Sequence, residues 1–140
     1  MSDMVVGIDL GTTNSEIAAF LNGKVEVLGP EADSMLPSCV GLSPAGALLV
    51  GREARHQQLV YPNLTIRSIK RKMGSTEAVK LGDKEFTPQE ISSLILRQLV
   101  EWAQHDLNQP IERAVITVPA YFSDAQRNAS RVALRWASEK

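Results

Sequence analysis

Short apolar runs rich in β-branched residues mark the first thirty positions of the chain. Two such runs, residues 4–8 and 16–21, flank the segment 11–14, whose residues favour a turn. Asn22-Gly23 follows, one of the strongest signals for a two-residue β-hairpin, and residues 25–28 supply a returning strand. The pattern predicts an antiparallel β-meander at the start of the chain.

Shorter units are predicted for the middle of the chain. Apolar residues on both sides of Pro44-Ala45-Gly46 indicate a second hairpin over residues 40–50. Helical spacing then predicts one short helix over residues 51–60 and another over residues 64–73. A small hairpin is expected around Gly82-Asp83.

The clearest helix begins after Thr87. Thr87 is suited to cap it, Pro88 suits the first helical position, and Glu90 completes a capping box. Pro110 marks the expected end of the helix. One face carries apolar residues at helical spacing, so we expect that face to pack against a core. Its members are Ile91, Leu94, Ile95, Leu99, Trp102, Ala103 and Leu107.

A strand and a further helix follow the long helix. Residues 114–118 are a candidate buried strand that Pro119 closes, and Ser123 with Gln126 repeats the capping-box pattern. The predicted apolar face of the last helix consists of Ala125, Ala129, Val132, Ala133 and Trp136. Strands, hairpins and helices in this order predict an α/β domain with a mixed sheet.

Composition excludes several classes of function. Hydrophobic residues make up 44% of the 140 positions and charged residues 22%, close to the average for globular proteins. The net charge of -1 argues against nucleic acid or an anionic membrane as the main partner, because both select a basic excess. Cys39 is the single cysteine, which excludes an intrachain disulfide. With no apolar run near the roughly 20 residues of a membrane span and no secretory pattern, we expect a cytoplasmic location.

The segment that carries chemistry runs from Val6 to Ser15. An acid at the end of a strand, Asp9, is followed by Gly11 and the hydroxyl residues Thr12 and Thr13. A tight turn of this kind gathers backbone N–H groups into a concavity suited to phosphate oxygens, and a carboxylate can hold hydrated Mg²⁺. Neither the P-loop pattern nor the dinucleotide fingerprint is present. On the residues alone, a purely structural hairpin remains an equal alternative.

Four segments, in order along the chain, resemble one family. Residues 7–15 resemble the phosphate-binding hairpin that opens the nucleotide-binding domain of the seventy-kilodalton heat-shock chaperones, the DnaK-type family. Leu36-Pro37-Ser38 resembles a short segment before an early strand, and residues 69–74 resemble the family's lysine segment. Residues 114–127, AVITVPAYFSDAQR, are very close to the family signature. The resemblance spans essentially the whole chain.

The resemblance implies a fold and a domain. It implies an actin-like ATPase fold, related to ribonuclease H, of which residues 1–140 are the first lobe, with a shortened peripheral subdomain at about 38–112. The short stretch between Lys70 and Thr87 looks most like the HscC branch. The second lobe, with its acidic loop and catalytic glutamate, and the substrate-binding domain are expected beyond Lys140. We therefore expect the 140 residues alone to be inactive as an ATPase.

Roles for individual residues are also implied by the resemblance. Lys70 matches the catalytic lysine, Asp9 matches the acid that meets Mg²⁺ through water, and residues 11–14 (Gly11, Thr12, Thr13 and Asn14) match the phosphate-binding turn. Pro119, Tyr121 and Arg127 match residues that relay nucleotide state to the substrate domain. Each also has a plain structural alternative, such as a solvated lysine, a turn carboxylate or a strand-ending proline. The cofactors implied are ATP or ADP with Mg²⁺, and K⁺ as a further ion.

Partners follow from the same resemblance: unfolded polypeptide clients, a J-domain co-chaperone and a nucleotide-exchange factor. Arg127, Arg131 and Arg135 form a helical stripe, which we interpret as a solvated face rather than a nucleic-acid site. Two alternatives remain at this point. One is another actin-fold enzyme, such as a sugar kinase. The other is a non-enzymatic binding domain that self-associates through exposed apolar surface.

Overall fold

The computed structural model describes residues 4–30, 34–75, 77–118 and 122–138, without the side chains of residues 71 and 136–138. The main sheet has five strands: β1 (Val5–Leu10), β2 (Asn14–Leu21), β3 (Lys24–Leu28), β4 (Leu36–Pro37) and β10 (Arg113–Thr117). β1, β2 and β3 form the predicted antiparallel meander, while β10 runs parallel to β1 and β4 pairs with the start of β2. The predicted α/β domain with a mixed sheet is confirmed.

The turn at Asn22-Gly23 confirms the strongest local signal in the sequence. Both residues have positive φ, 51° at Asn22 and 78° at Gly23. This is the backbone that a two-residue hairpin with right-handed strand twist requires.

Within the described residues, one face of the main sheet is covered and the other is open. The long helix α2 (Pro88–Leu107) lies against it, and α3 (Asp124–Ser138) packs along α2. Ile8 and Ile17 point to the covered face and are buried. On the opposite face Val115 is 59% exposed, so the prediction that residues 114–118 form a buried strand is wrong. Its apolar side chains alternate between a covered and an open face.

A second, smaller sheet stands beside the hairpin of β1 and β2. It contains β5 (Cys39–Leu42), β6 (Leu48–Val50) and β7 (Thr65–Arg67) in the order β6-β5-β7. The short helix α1 (Arg52–Gln57) packs on β5, and it ends earlier than the predicted residue 60. The hairpin predicted over residues 40–50 is confirmed.

A further two-stranded hairpin lies in this part of the chain. It is formed by β8 (Val79–Leu81) and β9 (Lys84–Phe86), and it turns at Gly82-Asp83 as predicted. Val79 and Leu81 are buried in the core, which ties this hairpin to the rest of the fold.

The helix predicted over residues 64–73 is wrong. Residues 65–67 form β7, which pairs with β5, and the chain then makes a short 3₁₀ turn over Ile69–Lys72. Ser68 separates the two with a left-handed backbone, φ 59° and ψ 36°. Pairing with a distant strand has overridden the local helical spacing, as is common for short segments that contain β-branched residues. A second 3₁₀ turn covers Pro62–Leu64.

Both predicted capping boxes are confirmed. In α2, the Glu90 N–H donates to Thr87 Oγ1 at 3.1 Å and the Thr87 N–H donates to Glu90 Oε1 at 2.9 Å. In α3, Ser123 and Gln126 exchange the same pair of bonds at 3.2 and 2.8 Å. α2 ends at Leu107 rather than at Pro110, because Asn108 adopts a left-handed C-cap.

The apolar face of α3 differs in part from the prediction. Ala129 and Ala133 are buried as expected, whereas Ala125 is exposed in the first turn of the helix. The Trp136 side chain lies outside the described residues. In the described ranges of the chain, no helix combines the length and the apolar character that a membrane crossing needs.

Candidate functional site

The turn between β1 and β2 brings together five of the predicted site residues: Asp9, Gly11, Thr12, Thr13 and Asn14. Asp9 lies near the end of β1, and Asn14 is the first residue of β2. Gly11, Thr12 and Thr13 form the turn between the two strands. Thr13 is exposed and Gly11, Thr12 and Asn14 are half-buried. The turn is therefore open to solvent on one side and accessible to a ligand.

Gly11 is required by a close approach within the turn itself. A Cβ atom at this position would overlap the carbonyl group of Asn14. Any other residue would force the turn open, because a backbone carbonyl cannot move aside as a flexible side chain can. The tight curvature of the hairpin thus depends on the missing side chain.

Ser38 holds the inner side of the turn. Its hydroxyl donates to the Gly11 carbonyl at 2.8 Å, and its backbone N–H donates to the Thr13 carbonyl at 2.9 Å. The Ser38 hydroxyl also lies 2.8 Å from the hydroxyl of Ser15, and both serines are buried. Two carbonyl groups of the turn are therefore satisfied by one residue of the neighbouring segment.

The N–H groups of the turn are used differently from its carbonyls. In the described part of the chain, no hydrogen bond is donated by the N–H of Thr12 or of Thr13. Backbone N–H groups need a partner, either water or a ligand, when the protein supplies none. A turn with its carbonyls engaged and its N–H groups available suits an anion.

Asp9 is positioned by the strand beside it. Asp9 lies opposite Thr117 of β10, whose hydroxyl donates to Asp9 Oδ1 at 3.1 Å and to the Ile8 carbonyl at 3.3 Å. On its other side Asp9 pairs with Glu16 of β2, which places two carboxylates on the same open face. Like charges in directly opposite positions repel each other, so a cation near them would be favoured. Thr117 and Glu16 were not among the site residues predicted from the sequence.

Lys70 lies on the 3₁₀ turn that follows Ser68. The Ser68 N–H donates to the Ser38 carbonyl at 3.2 Å, so Ser38 bonds both to the hairpin and to the lysine segment. Ile69 is buried and anchors the turn, while Lys70 is half-buried. The Lys70 ammonium stands 6.0 Å from the centre of the Phe122 ring, at the outer limit of a cation–π contact.

Of the three predicted relay residues, the structure describes only Arg127. Pro119 and Tyr121 lie outside the described residues. Arg127 is exposed in the first turns of α3, and its Nε donates to the Phe122 carbonyl at 3.3 Å. Phe122 therefore connects Arg127 to Lys70. Phe122 could have been found from the sequence only as part of the signature around it.

A cavity of about 430 Å³ opens beside the hairpin, toward the second sheet. Thr12, Thr13 and Ser38 line one part of it, and Arg55 and Arg67 line another. Cys39, also in the lining, is buried, and this burial raises the pKa of its thiol above the ordinary value. The Arg67 and Arg55 guanidiniums lower the pKa of the thiol in part, which places positive charge at this side of the hairpin.

The family model described as Hsp70 protein matches residues 5–138, nearly the whole chain. The chain belongs to the Hsp70 family. This Hsp70 chain is also 50% identical, over 133 residues, to the chaperone protein DnaK of Thermotoga neapolitana, and likewise to those of Thermotoga maritima and Thermosipho melanesiensis. The match covers 94% of the chain but only 22% of each relative. Membership of this family decides against the sugar-kinase alternative.

Proposed function

We propose that this Hsp70 chain supplies the first phosphate-binding hairpin and the catalytic lysine of an ATP-hydrolysing domain in a DnaK-type chaperone. One observation carries the proposal. The carbonyls of Gly11 and Thr13 are held by Ser38, while no described group accepts a hydrogen bond from the N–H of Thr12 or Thr13. Such donors stabilise phosphate oxygens without reorganising, which is the main demand of phosphoryl transfer.

The residues have distinct roles in this proposal. Asp9, held by Thr117, carries Mg²⁺ through bound water, since Mg²⁺ keeps much of its hydration and takes one or two carboxylates with phosphate oxygens. Lys70 offsets negative charge on the terminal phosphate and helps to position the attacking water. Residues 11–14 bind the phosphate oxygens, and K⁺ is proposed as a further ion.

For the architecture, we propose the first lobe of an actin-like ATPase fold over residues 1–140. The second sheet, together with the hairpin of β8 and β9, supports a peripheral subdomain at about residues 38–112. The short stretch between Lys70 and Thr87 remains the basis for the predicted HscC branch. Because the chain spans 22% of the length of its DnaK relatives, everything that concerns a whole chaperone is a proposal.

The chaperone cycle follows from the proposed ATPase. ATP binding and hydrolysis would control the grip on unfolded polypeptide clients in the cytoplasm, with a J-domain co-chaperone and a nucleotide-exchange factor as partners. The contacts from Arg127 to Phe122 and from Phe122 to Lys70 support a route by which nucleotide state reaches the surface of α3. Pro119 and Tyr121 are proposed as further members of that route.

The 140 residues by themselves are proposed to bind Mg-nucleotide weakly and not to turn it over, because the implied catalytic glutamate is not among them. Repeated turnover by the purified chain would contradict this. The open face of the main sheet exposes Val5, Phe20, Val25, Val27 and Val115, which supports self-association of the isolated chain.

Calorimetric titration of the 140-residue chain with MgATP and MgADP tests the proposed site. We expect saturable binding that is lost in Asp9→Ala and kept in Asp83→Ala, an exposed acid at the turn of the β8–β9 hairpin that serves as the charge-matched control. Equal binding by both variants, or none by the wild type, would favour the non-enzymatic binding domain. Stimulation of ATP hydrolysis by a J-domain, measured on the whole gene product, would test the chaperone assignment.

A further inference from the structure

The charged side chains that line the cavity beside the hairpin are all positive. Arg55 and Arg67 supply the charge, and the hydroxyls of Thr12, Thr13 and Ser68 add polar groups. No Asp or Glu is among the described residues that line it. The chain as a whole carries a net charge of -1, so this local excess of positive charge does not reflect a basic protein.

Neither arginine is neutralised by an acid of the described residues. In residues 4–30, 34–75, 77–118 and 122–138, no ion pair involves the guanidinium of Arg55 or of Arg67. Both guanidiniums nevertheless act on one atom, since both lower the pKa of the Cys39 thiol against the opposing effect of burial. Both arginines also line the same cavity as Cys39, so their fields add there.

The backbone fixes the arginines relative to the hairpin. Arg67 lies opposite Cys39 in the pairing of β7 with β5. Arg55 lies in α1 next to Ala54, which is fully buried and anchors the helix. Ser38 then connects β5 to the turn through its bond to the Thr13 carbonyl. The backbones of the hairpin and of the two arginines are thus held in one framework.

We propose that Arg55 and Arg67, with the hydroxyls of Thr12 and Thr13, form an anion site that binds a phosphate group beside the hairpin, apart from the position of Lys70. Guanidinium groups match phosphate oxygens through paired N–H donors, and two of them without acid partners favour a dianion over chloride. The ligand is a phosphate group, either free inorganic phosphate or a phosphate of a nucleotide. Thr12 and Thr13 also belong to the proposed ATP site, so this inference rests in part on the proposed function and adds the two arginines to it.

Nuclear magnetic resonance titration of the ¹⁵N-labelled 140-residue chain tests the site. Inorganic phosphate is added without Mg²⁺, and sodium chloride keeps the ionic strength constant because surface electrostatics are screened by salt. We expect saturable shifts of the Thr12, Thr13 and Ser68 amides and of the Arg67 Nε–H. The double variant Arg55→Gln/Arg67→Gln is expected to raise the Kd for phosphate at least tenfold.

The control variant removes the same charge elsewhere. Lys84→Gln/Arg131→Gln replaces two exposed cations outside the cavity and should leave the Kd for phosphate within twofold. Arg55→Lys/Arg67→Lys keeps the charge but not the paired donors, and should bind phosphate with intermediate strength. Dispersed amide spectra verify the folding of all variants. Both arginines are exposed, so their replacement should not disturb the fold.

Parallel titrations with MgADP and MgATP distinguish the two sources of the phosphate group. If Arg55→Gln/Arg67→Gln weakens the binding of inorganic phosphate alone, the site takes a free anion. If it also weakens the binding of MgADP and MgATP, the site takes a phosphate of the nucleotide. Equal losses in the arginine and control variants, or no loss in either titration, would overturn the proposal. Asp9→Ala should weaken only the Mg-nucleotides, so failure of the proposed ATP site is separable from failure of the arginine site.

Discussion

The Ser38 hydroxyl donates a 2.8 Å hydrogen bond to the carbonyl of Gly11, across 27 positions of sequence. Ser38 also bonds through its backbone to Thr13 and to Ser68, so one buried residue sets both the shape of the turn and the start of the lysine segment. Ser38 takes up the carbonyls of Gly11 and Thr13, while the N–H groups of Thr12 and Thr13, which no described group accepts, remain available to a ligand. The proposed phosphate site therefore depends on a residue that need not touch phosphate.

Replacing Ser38 by Ala should destabilise the chain. The change leaves the Gly11 carbonyl without its donor and the buried hydroxyl of Ser15 without a partner, at a cost of about 1–3 kcal/mol in the free energy of unfolding. Urea denaturation followed by circular dichroism measures this. Ser43→Ala, which removes an exposed side-chain bond to the Ala47 N–H, should change stability by no more than about 0.5 kcal/mol. Equal midpoints for the two variants would contradict the role of Ser38.

Replacing Gly11 by Ala should open the hairpin. The added Cβ would overlap the Asn14 carbonyl, so the turn and its N–H groups must shift. We expect Gly11→Ala to weaken MgATP binding at least tenfold by calorimetry. Gly7→Ala is the matched control, because a Cβ at Gly7 meets no atom within 4 Å. Loss of binding in the control alone would refute this account of Gly11.

Local signals in the sequence predicted structure best where the structure is itself local. The capping boxes at Thr87-Glu90 and Ser123-Gln126 and the hairpin at Asn22-Gly23 are confirmed, because residues at most three positions apart determine them. The strand at residues 65–67 was missed, since it forms by pairing with β5, more than twenty positions away. Helical spacing over so short a segment could not reveal that partner.

In the candidate site, too, residues that are close in sequence could be predicted and residues that are distant in sequence could not. The turn residues from Asp9 to Asn14 could be predicted because they are consecutive in the sequence. Thr117, which orients Asp9 from 108 positions away, and Phe122, which lies beneath Lys70, depend on the parallel pairing of β10 and on the start of α3. No spacing rule connects such residues. Arg55 and Arg67 were missed for the same reason.

Removing the N-cap of α2 should have a measurable cost. Thr87→Ala loses the side-chain oxygen that accepts the Glu90 N–H, which should lower the free energy of unfolding by about 1 kcal/mol. Thr87→Ser keeps the hydroxyl and should stay close to the wild type. Thermal denaturation of both variants checks this. Similar losses in Ser and Ala would show that the methyl group, rather than the hydroxyl, supports the helix.

Burial of Cys39 should make stability fall in alkaline solution. The pKa of the folded thiol is raised above that of the unfolded thiol, so the folded state holds the proton more tightly. The contribution of the neutral thiol to the free energy of unfolding is fully present below the unfolded pKa, about 8.5, and is lost as the pH rises through the folded pKa. Denaturation midpoints between pH 7 and pH 10 should therefore fall more steeply for the wild type than for Cys39→Ala. Parallel slopes would contradict the raised pKa.

Amide shifts on titration with MgADP test the central claim most directly, because they report on the hydrogen-bond donors themselves. The claim is that the N–H groups of Thr12 and Thr13 hold phosphate oxygens. We predict saturable shifts of these two amides in the 140-residue chain, absent when adenosine replaces MgADP. Saturable shifts confined to other parts of the chain, with Thr12 and Thr13 unchanged, would contradict the claim.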